Sequence, residues 1–368
     1  MCGCHIFDML MEGFYLDWFE DLQSVWERIK DIEKPILLYG MGDGAVKILN
    51  IFAEKNIKID GIFASDEFVR GQSFMGYKVR SYADCVEKFG DFAIILAFGT
   101  SIPELMERIV DFSKKHELLV PDVPLFGGGL FDDDYIEKNT EKIKTVYSLM
   151  ADDISKTVFK SVLRYKYTGD INYLLSCETP RQEVFENIIK FGLDEVYLDL
   201  GAYDGDTVEE AVGLMNGKYD RIIAVEPAEK NFEKLMNKVA SYKDIECMNI
   251  GIYSKKAVLN FSGKSGRNAA ISEDGNRTVK VDSIDGIMGG ERVSYIKMDI
   301  EGAERDGLLG GAGIIKKYMP SLAISAYHRI DDMIELPLLI HDLCGDYKIH
   351  LRHHPYIPAW ETNIYAVI

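Results

Sequence analysis

The sequence predicts an α/β protein with two successive doubly wound parallel sheets joined by a helical connector. Three observations lead there. Short apolar runs alternate with stretches of helical periodicity over residues 33–130, and do so again from Glu195 onward. Strands that alternate with helices in this way form parallel sheets. Each series also places a glycine turn between its first apolar run and its first helix, at Gly40 to Gly44 and at Gly201 to Gly205. Between the two series, residues 131–190 keep helical spacing without a clear strand. A length of 368 residues suits two domains, and 47% apolar residues can fill more than one core.

The elements follow in order. Residues 1–32 read as an N-terminal helical segment, with Phe14, Trp18, Leu22, Val25 and Ile29 at helical spacing. Pro35 precedes a strand from Ile36 to Tyr39, and a helix through Val46, Ile48, Leu49 and Phe52 follows the glycine turn. Ile59 to Ala64 is a second strand. Phe92 to Phe98 is a third, ending in Gly99-Thr100-Ser101. The second series, residues 191–368, starts with Val196 to Leu200 and a helix from Thr207 to Leu214. Thr207-x-x-Glu210 has the form of a capping box. Ile222 to Val225, Ile245 to Ile250, Val293 to Met298 and Leu322 to Ala326 are the next strands. Val258 to Phe261 and Val279 to Val281 read as extra strands of an insertion. Tyr347 to Leu351 and Asn363 to Ile368 close a sheet of about seven strands.

Composition narrows the function. A formal net charge of -18 argues against nucleic acid, whose phosphates are bound mainly by Lys and Arg. No apolar run is long enough to span a membrane. The first residues, with acids inside their apolar stretch and no basic region before it, do not read as a signal peptide. The six cysteines are scattered, as in a reduced cytoplasmic protein. Cys2-Gly3-Cys4-His5 falls short of the four spaced ligands of a structural zinc site, so no metal is expected.

Two glycine turns carry the chemistry. Gly40-x-Gly42-x-Gly44-Ala45 fits a loop that brings a phosphate to a helix N-terminus. Asp66, after the second strand, is its candidate ribose acid. These residues make a candidate second site for a nucleotide or nucleotide-sugar, and equally a turn kept for packing. The second turn is Asp199-Leu-Gly201-Ala202-Tyr203-Asp204-Gly205-Asp206-Thr207, and Glu226-Pro227 closes the next strand 21 residues past Gly205. An acid there can accept hydrogen bonds from ribose hydroxyls. Carboxylates beside a pyrophosphate would repel it by about a few kcal/mol at low dielectric. S-adenosylmethionine has no phosphate and carries an ammonium and a sulfonium, so Asp204 and Asp206 favour it. Asp299 and Glu301 end the fourth strand, beside the crevice where such sheets bind ligands. His328 follows the fifth strand on the same edge. It is the candidate general base, with Asp299 or Glu301 orienting the acceptor or the methionine end of the donor. Arg267 and Asn268, in a glycine- and serine-rich insertion, are candidate acceptor contacts. Arg352-His353-His354-Pro355 reads as a surface or pocket-rim loop.

The segments DLGAYDGDT (199–207), AVEP (224–227), VDSID (281–285), IKMDIEGAE (296–304), SAYHRIDDMIELPLLI (325–340) and ETNIYAVI (361–368) resemble the FkbM-type methyltransferases over residues 176–368. Tyr203 and Asp204 depart from the common pattern. The resemblance implies a class I methyltransferase fold, S-adenosylmethionine as donor, and O-methylation of a saccharide or small-molecule hydroxyl. Residues 33–130 look more loosely like the Rossmann-like domains attached to sugar-modifying enzymes. A homo-oligomer is compatible with the sequence. Two other functions compete: an NAD-dependent oxidoreductase or epimerase using the first turn, and a non-catalytic nucleotide-binding regulatory protein.

Overall fold

The computed structural model describes residues 18–262, 270–271 and 277–368. The segment before Trp18, including Cys2, Cys4 and His5, lies outside the described residues, as do Arg267 and Asn268.

The first sheet contains β1 (Ile36–Tyr39), β2 (Gly61–Phe63), β3 (Ser73–Phe74), β4 (Tyr77–Arg80), β5 (Ala93–Leu96) and β6 (Leu118–Leu119), in the order β3-β4-β2-β1-β5-β6. Its pairings are parallel except β3 with β4. The central strands β1 and β5 are buried along their whole length. Helices cover both faces of such a sheet, which is why these strands read as continuous apolar runs. The β3–β4 hairpin and β6 were not read from the sequence. The hairpin turns on Met75 and Gly76, both at positive φ. Met-Gly lacks the Asn-Gly signature of that turn.

In the second half, β7 (Val196–Leu200), β8 (Arg221–Val225) and β9 (Ile245–Met248) are followed by a small insertion sheet. That sheet consists of β10 (Gly251–Ile252), β11 (Ala257–Ser262), β12 (Ala270–Ile271) and β13 (Arg277–Asp282). Then come β14 (Tyr295–Met298), β15 (Ser321–Ser325), β16 (Lys348–His353) and β17 (Thr362–Val367). The larger sheet runs β16-β17-β15-β14-β7-β8-β9, with β17 antiparallel to both its neighbours. The strand expected over 245–250 is shorter, because the chain leaves this sheet after Met248 to pair Gly251 and Ile252 with β13. Strand order reverses between β7 and β14, the position at which open α/β sheets bind ligands.

The connector is built into the second sheet. Its helices Asp133–Leu149 and Asp153–Thr168 are capped by Asp132 and Asp152, and the second ends on Gly169 in the left-handed region. Arg352 on β16 is buried and donates to Asp152 and Ser155 of the connector and to Glu183. His353 and His354, expected on a rim loop, are likewise buried, because β16 continues through His353. Burial pushes His353 down to about 3 and His354 down to about 4, so both rings are neutral. One apolar cluster runs from Leu37 and Phe63 through Val158 and Leu163 to Leu198 and Ile324, with two further clusters on the opposite faces of the sheets.

Candidate functional site

The site begins where the chain leaves β7. Gly201 has φ +78°, and a Cβ there would fall on the carbonyl oxygen of Asp299. Only glycine lets the β7 turn lie against the end of β14. Gly205, at φ +90°, caps the helix Asp206–Leu214. The capping box expected at Thr207 does not form. Its hydroxyl instead donates to Asp199 at 2.6 Å, and Glu210 pairs with Arg181 at 2.8 Å.

A cavity of about 440 Å³ opens over this edge, a volume suited to a cofactor or small ligand. Tyr203, Asp206, Glu226, Asn231 and Ile250 line one part of it, and Lys297, Asp299, Glu301, Glu361 and Asn363 another. Glu226 is held rigidly: one carboxylate oxygen accepts from Tyr203 N at 3.1 Å and the other from Ala228 N at 2.8 Å. Burial raises its carboxyl, and those two N–H groups act the other way. It still offers lone pairs toward the cavity, as a ribose-binding acid requires.

The charge pattern of the turn differs from the sequence expectation. Asp199 is fully buried and lies 3.3 Å from Lys297, which also donates to Gly201 O at 2.8 Å. Asp204 pairs with Lys238 at 2.9 Å, and that hydrogen bond lowers its carboxyl. Two of the three acids are therefore countered by lysines, leaving Asp206 and Glu226 to face the cavity. Neither lysine was given a role in the reading from sequence, although Lys297 sits inside IKMDIEGAE, because each is remote from the turn along the chain.

The other end of the cavity is a cluster around His328. This ring is buried, with Nδ1 at 3.0 Å from Glu304 Oε1 and Nε2 at 3.4 Å from Asp299 and 3.6 Å from Glu301. Burial opposes a charge on the ring, yet Glu304, Asp299 and Glu301 together push it up to about 10. His328 is thus an imidazolium at neutral pH. It stands behind the two carboxylates rather than on the cavity wall. Tyr327 donates toward both Asp299 oxygens at 3.4 Å. Burial, then Asp299, raises the Glu361 carboxyl. Three residues of the wall, Tyr203, Glu301 and Glu361, have positive φ without being glycine. Such backbone strain concentrates at functional sites.

Of the residues expected at the cofactor, Gly201, Tyr203, Asp206, Thr207, Glu226, Pro227 and Asp299 line the cavity. Asp199, Ala202, Asp204 and Gly205 support it from behind. Lys297, Glu361, Asn363 and Arg181 also line it. Glu361 and Asn363 lie within ETNIYAVI, but nothing in the sequence brings the start of β17 to the same sheet edge as the end of β14.

The first turn is arranged differently. A Cβ on Gly40 would meet the Phe98 ring at 2.7 Å, and one on Gly44 would meet Ala97 O at 2.5 Å. Gly42 precedes the helix Asp43–Glu54 with open space around it. Asp66 starts a short 3-10 turn beyond β2. At the end of β5, a Cβ on Gly99 would run into the Trp360 ring, and Thr100 exchanges backbone bonds of 2.7 and 3.0 Å with Ile357. The second half of the chain thus packs onto the carboxyl edge of the first sheet.

Counted from β7, the large sheet has the order 6-7-5-4-1-2-3 with a reversed last strand, the fold of the class I methyltransferases. The family model described as Methyltransferase FkbM domain matches residues 199–352. No curated protein sequence matches the chain. Among solved structures, the chain is similar to the methyltransferase FkbM from Methylobacillus flagellatus KT, with a TM-score of 0.74 and 22% identity over 97% of this chain and 99% of that one. A weaker similarity, at TM-score 0.32 and 14% identity, links 50% of the chain to 72% of Aeropyrum pernix fibrillarin in complex with natively bound S-adenosyl-L-methionine. The family match supports a methyltransferase whose methyl donor is S-adenosylmethionine. No described helix is long and apolar enough to cross a membrane.

Proposed function

We propose that the chain O-methylates a hydroxyl of a saccharide or other small molecule. One observation carries this reading: a single cavity runs from the anchored Glu226 to the carboxylates Asp299, Glu301 and Glu361. Donor and acceptor can therefore meet above the β7–β14 gap. The residues fit the donor. Gly201 lets the β7 turn close against the end of β14 at the cavity wall, and Glu226 is fixed to receive ribose hydroxyls. The cavity acids Asp206 and Asp299 suit a cation. When bound, S-adenosylmethionine supplies an electrophilic methyl group on a sulfonium.

The chain's own residues then do three things. Asp299 and Glu301 orient the acceptor, which supplies much of the acceleration in an in-line transfer. Glu361 takes the hydroxyl proton. Its raised carboxyl makes it a better base than an ordinary one, and it lines the cavity. His328 holds Asp299 and Glu301 in place from behind, because an imidazolium has no lone pair with which to accept a proton. A transfer assay with labelled S-adenosylmethionine over a carbohydrate panel tests the function. Label on a hydroxyl oxygen is expected. Donor binding without transfer to any hydroxyl acceptor would leave a binding protein instead.

A further inference from the structure

We propose that Arg181 receives the α-carboxylate of S-adenosylmethionine in this cavity, with Glu210 holding its guanidinium in place. The assignment rests on the methyltransferase reading and goes beyond it, because it names the residue that tells the intact donor from its decarboxylated form.

Charge is the first argument. The donor carries two cationic groups, the sulfonium and the ammonium, and one carboxylate. Six carboxylates and three cations line the cavity. The acids favour the cationic groups and oppose the carboxylate, which needs a cation of its own once it leaves water. Of the three cations, Lys297 is engaged, lying 3.3 Å from the buried Asp199 and donating to Gly201 O at 2.8 Å. Arg329 donates from Nε to Gly302 O at 2.6 Å, past the end of β14, where Gly127 of the first half of the chain stands against it. Arg181 is the third.

Position is the second. Arg181 opens the helix Arg181–Asn187, just before β7, and pairs with Glu210 of the helix Asp206–Leu214. Glu210 stands four residues past Asp206, so the two share one face of that helix, about 5.4 Å apart along its axis. Asp206 and Thr207, in its first turn, line the cavity. The guanidinium is thus tied beside the glycine turn over which the donor lies. Lys297 and Glu361 are within its electrostatic reach, which sets it over the carboxyl edge of the large sheet.

The third argument is the geometry of the pair. Nε donates to Glu210 Oε1 at 3.0 Å, and Nη2 lies 2.8 Å from Oε2. A guanidinium has five N–H groups in one fixed plane, and this fork uses only the Nε edge. Among the described residues, Nη1 has no hydrogen-bond partner. The Arg181 side chain is 41% exposed and lines the cavity. Its outer edge is therefore held in place and still open, and it matches a second carboxylate in two parallel bonds. Glu210 fixes the aim of the group, so little side-chain entropy is lost when the donor arrives.

The test is calorimetry of the full-length protein with S-adenosylmethionine and with its decarboxylated analogue, which keeps the sulfonium and the amine. The readout is the ratio of the two dissociation constants, in which a general loss of affinity cancels. Arg181→Ala is expected to lower the preference for the intact donor about tenfold or more, as for losing hydrogen bonds between charged groups. Arg181→Lys keeps a cation facing Glu210, so it serves even if Arg181→Ala does not fold. A lysine cannot grip two carboxylates in a fork, and the preference should fall about threefold or more. Arg329→Gln should leave the ratio unchanged. A ratio that the Arg181 variants leave unchanged, or that falls only in Arg329→Gln, overturns the assignment, while donor binding by the native protein keeps the methyltransferase reading. No binding of either ligand to the native protein removes both.

Discussion

The two glycine turns of this chain look alike in sequence and are used differently. The turn after β7 faces an open cavity, and an anchored acid ends the neighbouring strand. The turn after β1 is pressed against Ala97 and Phe98, and Trp360 closes over Gly99 on the same edge. In both turns glycine makes room for neighbouring protein atoms, the Asp299 carbonyl beside Gly201 and Ala97 and Phe98 beside Gly44 and Gly40, but the turn after β7 also borders the open cavity. What separates them is what stands opposite the turn, and that depends on tertiary structure.

Substitutions should expose this contrast. Gly201→Ala should have the largest effect, because its Cβ has nowhere to go beside the Asp299 backbone. Donor binding should be lost in calorimetry, along with a large drop in Tm. Glu361→Gln should follow, lowering kcat about 10²-fold or more while leaving donor affinity unchanged. An unchanged kcat would remove Glu361 as the base.

The neighbouring histidines give a pH effect. His353 and His354 stay neutral when folded and titrate near 6.5 when unfolded. Between pH 6.5 and about 4 the unfolded chain therefore binds more protons, and stability falls as pH falls. Tm should drop over that window, and replacing His353 with Gln should flatten the slope. Gly99→Ala should come next, with about 1–3 kcal/mol lost to overpacking against Trp360. Its Tm shift should be accompanied by a raised acceptor KM, since Trp360 adjoins Glu361. Gly42→Ala should do least, because its surroundings are open and its φ is ordinary. Loss of donor binding in Gly42→Ala would break the contrast.

Much of the fold was legible because buried parallel strands appear as short apolar runs, as at Ile36–Tyr39 and Val196–Leu200. The strands that escaped were short or mixed in polarity, such as Ser73–Phe74 and Tyr77–Arg80. Among the residues that line the cavity, those near a turn in the chain were legible: Gly201, Asp206, Glu226, Asp299 and Glu301. Those brought in by sheet topology were not. Lys297 neutralises Asp199 across the β7–β14 pair, and Glu361 arrives from the last loop. The role given to His328 rested on its position at a strand end. Its partner Glu304, 24 residues away, sets its charge state.

The most direct test of this account is calorimetry of the full chain with S-adenosylmethionine and with NAD, for the native protein and for Glu226→Ala. The account predicts one S-adenosylmethionine per chain, no NAD, and about 10- to 100-fold weaker donor binding in the variant, as expected for losing hydrogen bonds to a charged group. NAD binding in place of S-adenosylmethionine, or donor affinity indifferent to Glu226, would contradict it.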